Sequence, residues 1–309
     1  MSPRIFFIGL GNMGHPMATN LLQAGFELVI HDLDASKAKG LVEKGATWAN
    51  TIAEGMQSAQ VVVSSLPGPV QVEQVMLSPQ GVVAHLRSDM VLIDTTTSSV
   101  EMAKKLDVAT RAKAAHYLEA PITNAIDGAR EGRLSIFVGG EPSIHERCAP
   151  IFKPLGQHVF YLGPAGTAAT VKLLTNLLWF VSAATIGEAL MLGLKAGVPL
   201  DTVWEAIKVS AGDSWVVRHD VPSIFAGHYD PSFSLALCVK DLELVNQIAR
   251  QSGMELFMGQ QALTRFKEAA QRFGPDAPEL NVARLMEEQA GVLLRPPHGA
   301  SMEVKSDGA

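Results

Sequence analysis

Between Ile5 and Asp32 the chain reads IFFIGLGNMGHPMATNLLQAGFELVIHD, a stretch that leaves the rest of the fold few choices. An apolar strand, Ile5-Phe6-Phe7-Ile8, runs straight into Gly9-Leu10-Gly11-Asn12-Met13-Gly14, the G-x-G-x-x-G spacing at the mouth of a helix. Met13, Met17, Leu21 and Ala24 recur three or four residues apart, so they share one helical face, and Gly25 ends the helix. A second strand, Glu27 to His31, delivers Asp32.

Each glycine meets a mechanical need. Gly9 permits the tight turn, Gly11 lets backbone approach a pyrophosphate, and Gly14 lets helix pack closely on strand. The helix start adds unpaired N–H groups and the positive end of its dipole, so Leu10, Asn12 and Met13 border the phosphates with the glycines. Pro16 falls in the first turn, where a missing N–H costs little. Asp32 is placed to accept hydrogen bonds from ribose hydroxyls and to repel a 2'-phosphate. The expected cofactor is NAD, with NADP the lesser alternative; Lys37 and Lys39 soften the preference. A glycine-rich structural turn is the bland alternative, and the flanking strands, helix and acid together argue against it.

At 309 residues the chain has room for one large or two ordinary domains. A net charge of −6 without any basic run argues against a nucleic-acid partner. Two cysteines, Cys148 and Cys238, make no disulfide framework and fit a reducing cytoplasm as small core residues. Arg4 before an apolar run mimics a signal peptide, but the run is short and its glycines serve the turn. Leu173 to Val198 is very apolar yet carries Asn176, Glu188 and Lys195, which reads as a buried helix, so no membrane partner is expected. No histidines fall in a metal-ligand spacing and no acids cluster, so a metal-free protein is expected.

Strands and helices alternate onward from Asp32. A helix over about 35–44 precedes the capping-box pattern Thr51-Ile52-Ala53-Glu54. A strand over Gln60–Ser65 meets the rigid turn Leu66-Pro67-Gly68-Pro69, and another over Val91–Ile93 meets Asp94-Thr95-Thr96-Thr97, with Ser98-x-x-Glu101 expected to cap the next helix. Ligands of open α/β sheets bind beyond the carboxyl ends of strands, which places Leu66, Pro67 and Thr96 along the cofactor. Strands over His116–Glu119, Leu134–Val138 and His158–Leu162 follow. From Thr167 the pattern turns wholly helical: one unbroken segment to Lys195, roughly 40 Å long, and further helices near 201–209, 239–251, 256–273 and 278–290. The fold class is α/β: an N-terminal Rossmann, doubly wound parallel sheet (1–164), then an all-α domain (165–295) joined by the long bridging helix, then a mobile tail (296–309).

Lys172 and Asn176 stand i, i+4 on one face of that helix. A lysine in a desolvated cleft has its charged form disfavoured, which suits it to proton transfer while hydride moves to or from a nicotinamide. On spacing alone, a solvated lysine with a packing asparagine is the better reading.

The opening GLGNMGHPMATNLLQAGF resembles the signature of the β-hydroxyacid dehydrogenases, the family of 3-hydroxyisobutyrate dehydrogenase and tartronate semialdehyde reductase. Ala120-Pro121 with Gly132 and Gly139-Gly140, then Gly163-x-x-Gly166 leading to Val171-Lys172-Leu173-Leu174-Thr175-Asn176, then Lys240-Asp241-Leu242, follow in family order over about residues 3 to 290. The resemblance implies a Rossmann domain, a helical domain of the 6-phosphogluconate dehydrogenase type, and catalysis in the cleft between them. It implies Lys172 as acid/base, Asn176 as its substrate-orienting partner, Lys240 on cofactor or substrate, and Thr96 near the nicotinamide ribose. For Lys240 a surface ion pair with Asp241 is the plainer alternative.

One departure stands out. Many members carry Ser-Gly-Gly after Ala-Pro to hold the substrate carboxylate, whereas this chain has Thr123-Asn124-Ala125. The hydroxyl survives and the glycines do not, which implies a less permissive loop and a narrower or differently polar pocket. Asn124 is either a reader of a polar substituent or an Asx-turn residue. Trp215, in Ser210–His219, is either a pocket wall or a core aromatic, and Arg218 either a grip on a second anion or an exposed ion pair.

The expected activity is hydride transfer between NAD and a short 3-hydroxy acid and its semialdehyde. The alternatives are a reductase of a polar small semialdehyde, tartronate semialdehyde or a sulfonated analogue, and a non-catalytic NAD-binding redox sensor. Imine reduction fits less well, because that related branch usually lacks the lysine that Lys172 supplies. The partners expected are a small hydroxy acid or semialdehyde and further copies of the chain, as homodimer or homotetramer.

Overall fold

The run Ile5–Ile8 is apolar at every position because the sheet it enters is covered on both faces. Ile5 and Phe7 enter one core, and Phe6 and Ile8 the opposite one. The computed structural model describes residues 2–296. The tail expected to be mobile lies, beyond Pro296, outside the described residues. By its internal contacts the chain forms two compact units, Met1–Leu174 and Thr175–Ala309.

The first unit runs β1 (Ile5–Ile8), α1 (Gly14–Gln23), β2 (Leu28–His31), α2 (Lys39–Val42), β3 (Thr47–Trp48), α3 (Ile52–Met56), β4 (Val61–Ser64), α4 (Pro69–Leu77) and β5 (Val91–Asp94). It continues with α5 (Val100–Arg111), β6 (His116–Glu119), β7 (Ile122–Thr123), α6 (Ala125–Glu131), β8 (Leu134–Gly140), α7 (Pro142–Phe152) and β9 (Gly156–Gly163). The sheet order is β3-β2-β1-β4-β5-β6-β8-β7, with β9 on β8. Pairing from β3 through β6 is parallel. Beyond it, β6 and β7 meet β8 antiparallel, and β9 returns parallel. Each fully buried Phe or Ile in these layers contributes roughly 1.5–3 kcal/mol.

Two local expectations change. The helix expected over 35–44 begins as a tight 3-10 turn, Ala35–Ala38, because the Asp34 side chain accepts from Ser36 N; α2 proper is short. The cap of α5 is Ser99, whose hydroxyl accepts from Met102 N at 3.0 Å, not Ser98. The Thr51 cap forms as expected, but the Glu54 carboxylate reaches Asn50 N, one residue before the cap.

A single helix, α8 (Thr167–Lys195), spans the boundary between the units. The second unit adds α9 (Leu200–Lys208), α10 (Val221–Ala226), α11 (Leu235–Gln251), α12 (Phe257–Phe273) and α13 (Asn281–Ala290). No expectation corresponds to α10 or to the π-helical turn Val216–Asp220 before it; Pro222 sits in the first turn of α10, where it is tolerated. Among the described residues α8 is the one helix long and apolar enough to cross a membrane. Its Phe180, Ala183, Ile186 and Leu190 instead build the core of the helical unit, with Leu242 of α11 and Phe266 of α12.

Candidate active site

The glycine-rich turn has the shape its spacing predicts. Gly9 adopts φ +94°, and a Cβ there would lie 2.2 Å from Ser65 O. A Cβ on Gly14 would lie 1.8 Å from Gly9 O, so a side chain at either position would displace α1 from the sheet. Around Gly11 nothing lies within 4 Å of a Cβ, which leaves backbone open to a pyrophosphate. An open cavity of about 610 Å³ adjoins the turn; Gly11, Asn12, His15, Lys37 and Arg130 are among its walls. These residues fit an anionic dinucleotide.

Asp32, just beyond β2, is built into the same turn. Its Oδ2 accepts from Leu10 N at 2.7 Å and its Oδ1 from Asp34 N at 2.9 Å, with Lys37 Nζ 3.3 Å away. Burial pushes the carboxyl up, but these donors outweigh it and hold Asp32 below the ordinary carboxylate range. Lys37, expected only to soften the cofactor preference, is therefore this acid's ion-pair partner.

Two buried carboxylates absent from the sequence expectations organise the carboxyl ends of the strands. Asp94, at the end of β5, accepts from Ser64 Oγ at 2.8 Å and Thr96 N at 3.1 Å, and Thr96 Oγ1 accepts from Leu66 N at 3.0 Å. The two loops that carry Leu66, Pro67 and Thr96 are thereby locked together. Burial raises the Asp94 carboxyl despite these donors.

Glu119, at the end of β6, caps α8 from outside that helix. Its Oε1 accepts from Gly166 N at 2.6 Å and Ala168 N at 2.8 Å, and its Oε2 from Ala169 N at 3.2 Å. Burial is the largest influence and raises its carboxyl, against the lowering effect of those three donors. A Cβ on Gly139 would fall 2.3 Å from Glu119 Oε1, which gives the Gly139-Gly140 pair a physical purpose. The signal available in sequence was an acid ending an apolar strand, as Asp32 does.

At the family departure, Thr123-Asn124-Ala125, the backbone keeps a glycine-like shape although the glycines are absent. Asn124 has φ +85° and Ala125 φ +55°, so both adopt the left-handed conformation that glycine favours. Asn tolerates this region; Ala is strained in it. The Asn124 amide donates to Arg133 O at 3.1 Å and Ser135 Oγ at 3.2 Å, which ties its N–H groups to its own unit. Thr123 ends β7 half-buried.

Lys172 sits in the second turn of α8 and is only 6% exposed, which rules out the solvated-lysine reading. In the second unit Asn176, also buried, donates from Nδ2 to Asp241 Oδ2 at 2.7 Å. Lys240 Nζ lies 3.1 Å from Asp241 Oδ1, a contact of charges rather than an aligned hydrogen bond, since that oxygen accepts none. The Lys240–Asp241 ion pair thus forms, but around a buried acid. Trp215 is 52% exposed and stacks on His219 with ring centroids 3.6 Å apart, so it is not a core aromatic. Arg218 takes the ion-pair alternative, 2.8 Å from Asp213 Oδ2.

Two families match the chain in succession. Residues 4–163 match the NAD binding domain of 6-phosphogluconate dehydrogenase, and residues 166–286 the NAD-binding domain of NADP-dependent 3-hydroxyisobutyrate dehydrogenase. A 3-hydroxyisobutyrate dehydrogenase of Pseudomonas aeruginosa is 36% identical over 247 residues, 78% of this chain and 83% of the relative. The NAD-dependent L-serine dehydrogenase of the same organism is 34% identical over 85% of this chain and 91% of its own length. The structure of Mycobacterium tuberculosis 3-hydroxyisobutyrate dehydrogenase with L-serine superposes with a TM-score of 0.85 at 28% identity, covering 93% of this chain and 99% of that one. With the dinucleotide turn, the doubly wound sheet and the helical unit all in place, the chain belongs to the β-hydroxyacid dehydrogenase family of NAD(P)-dependent oxidoreductases.

Proposed function

We propose that the chain is an NAD-preferring dehydrogenase of a short 3-hydroxy acid of the 3-hydroxyisobutyrate kind, with Lys172 as acid/base and Asn176 as its orienting partner. The observation that carries this is a lysine withdrawn from water on a helix whose N-terminus is held by Glu119. A non-catalytic NAD sensor has no need of that arrangement.

The bound nicotinamide supplies the hydride acceptor or donor. In oxidation the Lys172 amine takes the proton of the substrate hydroxyl as the C–H bond yields its hydride; in reduction it returns that proton to the forming alkoxide. Thr123 and the backbone N–H groups of Asn124 and Ala125 are assigned to the substrate carboxylate, Lys240 to cofactor or substrate, and Trp215 to the substrate side. The pairing of Asn176 with Asp241 fixes how the asparagine amide is turned. Asp32, ionised and pointed into the turn, disfavours a 2'-phosphate.

The preference for an apolar substituent rests on Asn124, whose amide N–H groups are already engaged. The test is steady-state oxidation of 3-hydroxyisobutyrate, serine and glycerate with NAD and NADP, with reduction of tartronate semialdehyde alongside, in wild type and Lys172→Ala. The variant should bind NADH normally and lose roughly 10²–10⁴-fold in kcat. Unchanged turnover removes Lys172 from the mechanism, and a polar substrate leading the panel removes the isobutyrate assignment.

A further inference from the structure

In the helical unit three carboxylates remote in sequence converge. Asp220 ends the π-helical turn ahead of α10, Asp230 lies in the loop after α10, and Glu279 lies just before α13. One carboxylate oxygen from each falls within 4.8 Å of the others. Their backbones are stitched together independently of the side chains: Glu279 N donates to Phe233 O at 3.0 Å, Leu280 N donates to Tyr229 O at 3.3 Å, and Ser234 bridges to Pro278.

Each acid is anchored through one oxygen. Asp220 Oδ2 accepts from Trp179 Nε1 at 3.0 Å, Asp230 Oδ1 from Ser232 N at 2.9 Å, and Glu279 Oε2 from Cys238 Sγ at 3.8 Å. Glu279 Oε1 has no hydrogen-bond partner, although the residue is only 1% exposed. A buried, unpartnered carboxylate oxygen beside two further acids is a poor arrangement unless a cation completes it.

We propose that Asp220, Asp230 and Glu279 form a structural site for a hard divalent cation of the calcium class. The donors are all oxygen, and oxygens that lie within 4.8 Å of one another can share one ion at about 2.3–2.6 Å from each. Soft metals are disfavoured because the three acids offer only oxygen and the Cys238 thiol beside them is buried and donates to Glu279. Asp230 is only partly buried and gives the ion a path in. The bound ion would fasten the start of α10, the loop after it and the start of α13, a function separate from hydride transfer. Burial, the largest influence, pushes the Asp220 carboxyl up to about 7, and burial with the neighbouring acids also raises the Glu279 carboxyl above the ordinary carboxylate range.

The indole bonded to Asp220 makes the site optically readable. Full-length protein stripped with EDTA is titrated with Tb3+ in a buffer near neutral pH. Excitation through tryptophan should give saturating terbium emission at one ion per chain, displaced by Ca2+, and Ca2+ should raise Tm. Asp230→Asn and Glu279→Gln should each weaken binding at least about ten-fold. Trp179→Phe should dim the emission while leaving the Ca2+ shift in Tm. Absence of stoichiometric emission overturns the proposal. So does equal emission in the Asp230→Asn/Glu279→Gln double variant, or a gain in Tm from Glu279→Gln with no response to Ca2+ in wild type, which would mean carboxyls sharing protons.

Discussion

Asn176 Nδ2 donates to Asp241 Oδ2 at 2.7 Å, and Lys240 Nζ lies 3.1 Å from the other oxygen of the same acid. Asp241 is thus a buried hinge between an uncharged donor and a cation. Asp241→Asn removes the charge from both contacts, and should lower stability by about 2–4 kcal/mol. The urea midpoint reports this, and kcat should fall with it because the Asn176 amide loses its fixed orientation. An unmoved midpoint would mean that Asp241 holds neither partner.

Glu119→Gln offers one acceptor oxygen, and an NH2 group that opposes backbone donors, where the carboxylate accepts from three N–H groups. A loss of about 2 kcal/mol is expected. Gly139→Ala drives a methyl into the same carboxylate and should reproduce part of the effect. Both should reduce kcat more than they raise KM for NAD, since the helix they disturb carries Lys172 and not the phosphate turn. Wild-type kcat in both would disconnect the cap from catalysis.

Asp32→Ala should cut the preference for NAD over NADP at least roughly ten-fold, as a like-charge clash costs several kcal/mol. The ratio of kcat/KM for the two cofactors measures it, and an unchanged ratio would move the discriminating contact elsewhere. Because the folded carboxyl lies below its ordinary value, its contribution to stability is present above the unfolded pKa and is lost as pH falls through the folded one. The acid limb of the wild-type stability curve should therefore flatten in the variant.

Ala125→Gly should stabilise the protein by about 1 kcal/mol, because Ala125, exposed at the first position of α6, holds φ +55°. Chemical denaturation decides the matter. Destabilisation would mean that the left-handed conformation at 125 carries no strain for this chain to relieve.

Local patterns made much of the molecule legible. The turn at Gly9–Gly14, the exact span Thr167–Lys195 and the Thr51 cap depend on neighbours within a few residues, so spacing alone carries them. Ser99 instead of Ser98 as the cap of α5, and the helix Val221–Ala226, escaped because one-residue phase and a proline-bearing short helix are settled by packing.

The sequence by itself determined the alternation of strands and helices, the dinucleotide turn and the placing of Lys172 and Asn176 on one helical face. Only the tertiary structure decided what those residues meet. Glu119 reaches across the sheet's end to cap α8, Asn124 and Ala125 take a backbone shape suited to the absent glycines, and Asp220, Asp230 and Glu279 come within 4.8 Å. Periodicity encodes which face of an element is apolar. Contacts between side chains distant in the chain depend on how elements pack, and no local pattern records that.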